Sequence, residues 1–327
     1  MESQDTQTKF NLRVGTYNIL NTKGTVIICL FFLLDRYTER ERLLKKNLYE
    51  LNADVIGLQE VVFGEKQLDE IIHPNSNSSQ APKSLRHEIN LEEIGASQRQ
   101  TGYNPIAHPV QMQIFKARNH PDKNAQLDGN AILLCNNFLQ TRGCRIISQD
   151  FVHISAFRNA QRVILELPSP NKNENQDLQG VRLGGRRVHL INTHLHHEIP
   201  HGLVRKHQAQ NILMWIEASL EENDIVIFGG DFNSNKGSET VDFILESGYK
   251  SSYLEINKEE PELTFPTGLQ AEFMDTDPPG TLDYIFYKGR GIQPVKSQVM
   301  GQKCDEKDST IYGSDHMPIV TDFVIEL

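Results

Sequence analysis

The sequence predicts a layered α/β (α+β) domain in which helices cover β-sheets. Three observations carry that expectation. Apolar segments of strand length outnumber segments with helical spacing. The helical segments fall between some of the strands. A content of 38% hydrophobic and 23% charged residues over 327 positions describes an ordinary globular chain with material for a sizeable core.

The elements follow in chain order. Residues 12–20 read as a strand, and residues 35–51 place Leu43, Leu44, Leu48 and Leu51 at helical spacing. Residues 54–58 read as a short buried strand, 65–72 as a helix, 73–83 as a loop rich in Asn, Ser and Pro, and 85–95 as a further helix. Strands are expected at 129–135, 145–154 and 162–167, followed by a polar hairpin loop at 168–185. A strand at 188–192, a helix at 203–220 carrying the sole tryptophan, Trp215, a strand at 224–228 and a helix at 239–245 come next. Strands at 282–287, 294–300 and 317–325 close the chain. No internal repeat or linker composition appears. The expectation is one domain over residues 1–327, with its core at about 12–324 and a short polar tail at 1–9.

The apolar run at residues 26–34 fits this layout poorly, because it falls where the first strand should hand over to the first helix. It reads as a buried strand or helix segment. A second reading is an insertion, even translated non-coding sequence, since Phe and Leu codons are pyrimidine-rich like the end of an intron. Its length is far below the ~20 residues that span a bilayer. The tail lacks the charged-then-apolar order of a signal peptide, so a cytoplasmic or nuclear location and no transmembrane segment are expected. Cys29, Cys135, Cys144 and Cys304 form no CxxC pair and read as reduced, mostly buried thiols in a monomer.

The formal net charge of −10 disfavours the broad basic face that long nucleic acids require. It suits an acidic site that holds a divalent cation. The dense basic spots are Lys45-Lys46 and Arg186-Arg187, each expected near a strand end and able to hold one or two phosphates. Glu255, Glu259, Glu260 and Glu262 are expected to border a cleft.

The chemistry-bearing residues sit at strand ends, from which a rigid scaffold delivers side chains to one rim of a sheet. Asn18 follows Val-Gly-Thr-Tyr, Glu60 follows Ile-Gly-Leu-Gln, and His194 follows Leu-Ile-Asn-Thr. Asp231 and Asn233 follow Ile-Phe-Gly-Gly, Asp283 lies in Thr-Leu-Asp-Tyr-Ile, and Asp315-His316 lie in Gly-Ser-Asp-His-Met-Pro. Each motif alone is a common turn or edge feature. Together and in this order, over residues 12–324, they resemble the DNase I-like endonuclease/exonuclease/phosphatase superfamily.

That resemblance implies a four-layer αββα sandwich, two mixed sheets flanked by helices, with the site where their strand ends meet. It implies a Mg²⁺-dependent phosphoesterase, Mn²⁺ substituting, in which water attacks phosphorus. It makes Glu60 the principal metal ligand, with Asn18 and Asp315. Asp231 would orient or deprotonate the water, Asn233 and His194 would donate to the transition state, and Asp283 would hold His316 as base or phosphate clamp. Arg158, or its neighbour Arg162, would grip phosphate, and Asn130 would border the site. The superfamily's usual catalytic tyrosine has no good counterpart; Tyr103 is a poor one. The stretch 264–287 resembles an uncharacterised branch. Superfamily substrates include DNA, RNA tails, sphingomyelin, inositol phosphates and nucleotide-linked phosphodiesters. The charge favours a small or lipid-like phosphoester, or the end of a short nucleic acid, over long duplex DNA.

Two rival classes remain. Thr-His-Leu-His-His-Glu is similar to the zinc motif of metallo-β-lactamase-like hydrolases through His194, His196 and His197, but Glu198 and Ile199 stand where Asp and His are required. A non-catalytic binding module would keep the fold and lose the metal glutamate or the last Asp-His, whereas this chain has Glu60, Asp231, Asn233, Asp283, Asp315 and His316 together.

Overall fold

The apolar strand segments sort into two six-stranded mixed sheets. The structure is a computed structural model, and it describes residues 9–20, 36–62, 112–119, 128–169, 185–271, 274 and 276–327. The first sheet holds β1 (Lys9–Asn18), β2 (Val55–Val62), β3 (Met112–Arg118), β4 (Asp128–Cys135), β11 (Ile292–Val299) and β12 (Ile319–Glu326) in the order β11-β12-β1-β2-β4-β3. The second holds β5 (Arg145–Ser155), β6 (Arg158–Glu166), β7 (Arg187–His194), β8 (Ile225–Asp231), β9 (Lys250–Ser251) and β10 (Asp283–Lys288) in the order β5-β6-β7-β8-β10-β9. Among the described residues, only the β1–β2 and β7–β8 pairs are parallel.

Helices cover both outer faces. α1 (Tyr37–Leu51) and α2 (Asn136–Arg142) bury Leu44, Leu48, Leu51 and Phe138 in one core that also contains Leu12, Leu58, Leu190, Ile227 and Ile285. α3 (Gly202–Glu217) and α4 (Glu239–Glu246) bury Ile212, Ile216, Val241 and Ile244 against Ile191, Phe228 and Phe286. A short α5 (Ser252–Asn257) packs beside β11. This is the expected fold: two mixed sheets between flanking helices.

Polar bonds tie the sheets to each other at defined points. Asn192 of β7 donates from Nδ2 to the carbonyls of Leu58 (2.8 Å) and Ala131 (3.0 Å) on the first sheet. Its Oδ1 accepts from Gln59 Nε2 at 2.6 Å, and Gln59 also donates to Thr16 Oγ1 at 3.0 Å. Gly57 makes room for this amide: a Cβ there would lie 2.8 Å from Asn192 Oδ1. Arg40, fully buried on α1, donates to the carbonyls of Ile19 (3.0 Å), Leu20 (2.8 Å) and Gly313 (2.9 Å), pinning the end of β1 to the segment before Asp315.

Several sequence expectations shift. β6 begins at Arg158, four residues before the expected strand, so Arg158 starts a strand and does not precede one. β3, α2 and α5 were not expected; β3 is an edge strand whose apolar residues Met112, Ile114, Phe115 and Ala117 do not alternate cleanly with polar ones, and the two helices are about two turns or less, too short for a periodic signal. The expected helices at 65–72 and 85–95, the loop at 73–83, the apolar run at 26–34, most of the 168–185 loop, Cys29 and Tyr103 lie outside the described residues. Of the thiols that are described, Cys135 is buried, but Cys144 and Cys304 are half-buried, so the expectation of mostly buried cysteines is corrected. No helix among the described residues is long and apolar enough to cross a membrane.

Gly57→Ala should cost about 1–3 kcal/mol, because its methyl group meets a buried, hydrogen-bonded amide that has nowhere to move. Gly229→Ala, whose methyl group meets Thr16 Cβ at an ordinary 3.6 Å, should stay within about 1 kcal/mol of the parent. Urea unfolding of both variants checks this; equal losses would remove the packing role assigned to Asn192.

Candidate active site

One rim of the two sheets collects the polar residues. β1, β7 and β8 run toward it and end in Asn18, His194 and Asp231, and β2 carries Glu60 two residues before its end; β4, β6 and β10 start from it with Asp128, Arg158 and Asp283. The register makes this concrete. Asp283 pairs with Asp231 across β10–β8, and His194 pairs with Asp231 across β7–β8. Glu60 is delivered by an irregularity: the β2–β4 register breaks between Leu58 and Val61, and Glu60 takes a φ of 58°. Such a bulge re-aims a side chain next to a site. Asp315 and His316 arrive from the loop before β12, held by the segment 264–267. Thr267 N donates to the Asp315 carbonyl at 2.8 Å, Thr267 Oγ1 to the Ser314 carbonyl at 2.7 Å, and Met317 N to the Thr264 carbonyl at 2.7 Å. Thr264 Oγ1 in turn accepts from Asp283 N at 3.2 Å, so one short segment sets the spacing between Asp283 and His316.

Asp231 lies at the centre. Its Oδ2 accepts from Asn18 Nδ2 at 3.0 Å and lies 3.5 Å from His194 Nε2 and 3.6 Å from His316 Nε2. Its Oδ1 accepts from Asn233 N at 2.8 Å. On the far side of His316, Nδ1 meets Asp283 Oδ2 at 2.9 Å, and the ring packs on Phe265 with centroids 4.9 Å apart. On the other flank, Arg158 places Nη1 3.3 Å from His194 Nδ1 and Nη2 3.2 Å from His197 Nδ1. A guanidinium only donates, so both Nδ1 atoms accept, and the ring hydrogen of His194 sits on Nε2, facing Asp231.

Burial and charge set the protonation states. Burial, with the neighbouring Asp283 charge, pushes the Asp231 carboxyl up to about 7, against the pull of His316 and the Asn18 hydrogen bond. Burial, with Arg158 beside it, holds His194 well below the usual histidine range, so the imidazole is neutral and its approach to Asp231 is no ion pair. Burial acts the same way on His316, yet Asp283 and Asp231 outweigh it and lift the ring well above that range. Burial also raises the Asp315 carboxyl, and the charge of Glu60 adds to the rise. Two carboxylates crowded in this way are a hard-oxygen donor set that suits a small divalent cation.

Comparison with known proteins identifies the family. The model of the Endonuclease/Exonuclease/phosphatase family matches residues 15–316. The chain belongs to this family. The family includes hydrolases that act on phosphate esters, and its enzymes are in general dependent on a divalent metal. Among solved structures, the chain is similar to zebrafish TDP2 complexed with a single-strand DNA product (TM-score 0.59, 16% identity, 96% of this chain and 98% of that one). It is also similar to the human Nocturnin catalytic domain with a bound sulfate anion (0.57, 19%, 97% and 97%) and to a family protein of Bacteroides thetaiotaomicron (0.62, 15%, 98% and 97%). An Arabidopsis thaliana relative, uncharacterized calcium-binding protein At1g02270, is 25% identical over 259 residues. That match covers 77% of this chain and 45% of the relative, so the chain spans less than half the length of the relative.

Within the family fold, the expected site residues take the following places. Asn18, Glu60, His194, Asp231, Asp283, Asp315, His316 and Arg158 gather at the rim. Asn18 Oδ1 accepts from Leu20 N at 3.1 Å, while Nδ2 bridges Glu60 Oε1 and Asp231 Oδ2, both at 3.0 Å, so it spaces two carboxylates. Asn233 donates from Nδ2 to the Leu195 carbonyl at 3.0 Å, which leaves one amide hydrogen for a ligand. Asn130 is drawn behind the site, with Nδ2 on both the carbonyl and Oδ1 of Asn159 at 3.1 Å; it holds the residue next to Arg158 and does not grip phosphate. Arg162 is excluded as an alternative to Arg158, because it pairs with Asp150 at 2.8 Å and lies over Trp215 at 4.3 Å.

The supposed surface charges also move. Arg187 pairs with Asp224 at 2.9 Å, and Arg186 donates to the Glu326 carbonyl at 2.6 Å. Both lie at the opposite end of β7 from His194, about 23 Å away at strand rise. Lys45 pairs with Glu41, and Lys46 lies 3.9 Å from Glu50. Of the acidic cluster, Glu260 is buried in the protein and Glu255 lies on α5, so the four do not form one cleft-lining face. Residues missed from the sequence are Asp128, Arg40, Gln59, Asn192, Thr264 and Thr267. Their signal was weak, since polar residues inside or beside strands look like any solvated position.

The titration of His316 tests the pairing. Its raised folded pKa means that its protonation stabilises the fold; this contribution is full below about pH 6.5 and is lost as pH rises through the folded pKa. Asp283→Asn removes the partner at 2.9 Å and should lower the His316 pKa in metal-free protein. NMR titration of the imidazole C–H signals in EDTA checks this, and an unchanged midpoint would separate the two residues.

Proposed function

We propose that this chain is a divalent-metal-dependent phosphoesterase that hydrolyses a small or lipid-like phosphoester, or the end of a short nucleic acid. The observation that carries the reading is the single cluster in which Asp231 stands between a neutral His194 and a cationic His316, with Glu60 and Asp315 on one flank and Arg158 on the other. Glu60 and Asp315 are the residues that would hold Mg²⁺ or Mn²⁺, with Asn18 setting the distance between Glu60 and Asp231. When bound, the ion supplies charge neutralisation for the phosphoryl oxygens and the leaving oxygen.

The chain's own residues do the rest. Asp231, raised toward neutral pH by burial, orients the attacking water and takes its proton; a base works best with a pKa near the working pH. Asn233 N holds Asp231 Oδ1 and Asn18 Nδ2 holds Oδ2, so both oxygens are oriented, and a remaining lone pair serves this task. His194 presents Nε2–H as a neutral donor, because Arg158 occupies its Nδ1. His316 is held as an imidazolium by Asp283, which favours the role of phosphate clamp over that of base. Burial lowers the Arg158 pKa from the usual arginine range, against the pull of Glu60, Asp231 and Asp128, and the guanidinium donates to phosphoryl oxygens. Donors aimed in advance at the developing charge are the main source of such catalysis.

Turnover should require Mg²⁺ or Mn²⁺ and vanish in EDTA. Glu60→Gln should lower kcat by about 10²–10³-fold or more with unchanged unfolding, since Glu60 serves the site at a φ of 58° and is not part of the core. A panel of phosphoesters assayed with Mg²⁺, using Glu60→Gln as the blank, identifies the substrate; activity in chelator, or an unfolded variant, would sink the assignment.

The surface charges favour few phosphate contacts. Lys45, Lys46, Arg186 and Arg187 are paired or remote, which leaves Arg158 as the arginine of the cluster. Each neutralised phosphate of duplex DNA contributes about −0.9 to the log–log salt slope. Binding or cleavage of the true substrate should therefore show a slope no steeper than about −2. A slope that implies six or more contacts would identify a conventional duplex endonuclease.

A further inference from the structure

The loop that leaves β7 divides its two adjacent histidines. His197 turns to Arg158, while His196 turns away, to Glu198 and His201. His196 Nε2 and His201 Nδ1 lie 2.8 Å apart, His201 Nδ1 and Glu198 Oε2 2.9 Å, and His196 Nε2 and Glu198 Oε2 3.7 Å. A 3₁₀ turn, Ile199–His201 with Pro200 inside it, brings His201 back over Glu198, and His201 N donates to the Glu198 carbonyl at 3.1 Å.

Hydrogen bonding alone serves this cluster badly. His201 Nδ1 carries at most one hydrogen, and it faces a carboxylate oxygen and an imidazole nitrogen at nearly equal range. With the hydrogen present, the two acceptors share it; without it, two lone pairs face each other at 2.9 Å. Three electron-pair donors converge on one point, and a cation satisfies all three. The spacing suits it as well. Tetrahedral Zn²⁺ with bonds of about 2.0–2.1 Å separates its ligand atoms by about 3.3 Å, and the three distances here bracket that value.

The loop is also built rigidly. Arg205, buried on α3, donates to the carbonyls of Glu198 (2.6 Å), Ile199 (3.1 Å) and His196 (3.3 Å), and to Ser234 Oγ (3.1 Å). Gln208 Oε1 accepts from His196 N at 2.9 Å. The backbone at His196 and Glu198 is therefore set by buried partners, and that of His201 by its bond to the Glu198 carbonyl, while the ligand atoms reach the surface.

We infer that His196, Glu198 and His201 form a second metal site, distinct from the catalytic carboxylates, that takes Zn²⁺ or a similar borderline transition metal. Two imidazoles and one carboxylate are a nitrogen-rich set that Mg²⁺ does not favour. With three protein ligands the fourth position stays open to water or to an anionic group. The set is not the metallo-β-lactamase pattern considered from the sequence, since it omits His194 and His197 and uses His201, which the turn at Pro200 brings in.

The test is titration of metal-stripped protein with Zn²⁺ against a chromophoric chelator, in excess Mg²⁺ to occupy oxygen sites. The parent protein and Glu60→Gln should each bind one equivalent, so this result stands or falls apart from the phosphoesterase reading. His196→Ala/His201→Ala should lose that equivalent, and Glu198→Gln should weaken it more than about tenfold. Co²⁺ in the parent should give the intense visible bands of a tetrahedral site, a readout that does not depend on any variant folding. A zinc equivalent that persists in the double variant, or no equivalent and no Co²⁺ bands in the parent, would overturn the assignment and leave a histidine pair that shares a proton with Glu198.

Discussion

Two apolar sheet faces slide over each other at little cost, so their hydrophobic contact alone does not determine where their edges meet. In this protein the Asn192 amide supplies that constraint. It reaches from β7 across the core to the carbonyls of Leu58 and Ala131 and accepts from Gln59, the residue before Glu60. Buried amide bonds of this kind are directional and costly to leave unmade, so they select one relative position of the sheets. That position brings the Glu60 end of β2 next to the His194 end of β7. The polar chain Asn130–Asn159–Asn119–Asp128 does the same work behind Arg158.

The consequence is electrostatic. Four carboxylates, those of Glu60, Asp231, Asp283 and Asp315, share a small volume with the cationic side chains of His316 and Arg158, and Arg40 acts on Asp315 from α1. Neutral and charged forms are then sorted by neighbours. His194 and His316 both flank Asp231, yet an arginine lies behind one and an aspartate behind the other, and their protonation tendencies separate in opposite directions. Such separation of like groups is how one site provides donors and acceptors at one pH. The clamp built on Thr264 and Thr267 matters for the same reason, because it holds Asp283 and His316 at the separation on which the sorting depends.

The strand-end residues and their order were legible in the sequence, and so was the layered architecture, because long apolar runs have one low-energy disposition: buried in sheets under helices. Glu60, Asp231, Asp283 and His316 announced themselves as polar groups that interrupt such runs. What the sequence determined by itself was therefore the set of elements and the residues at one end of them. Only the tertiary structure decided which partner each residue faces. It placed the amide nitrogen of Asn18, not its oxygen, toward Glu60, chose Arg158 over Arg162, drew Asn130 behind the site, carried Arg186 and Arg187 to the far end of β7, and joined His201 to His196. Those outcomes rest on contacts between residues distant in the chain, or on a single turn such as that at Pro200, and neither side-chain orientation nor pairing across two sheets leaves a periodic mark in the sequence.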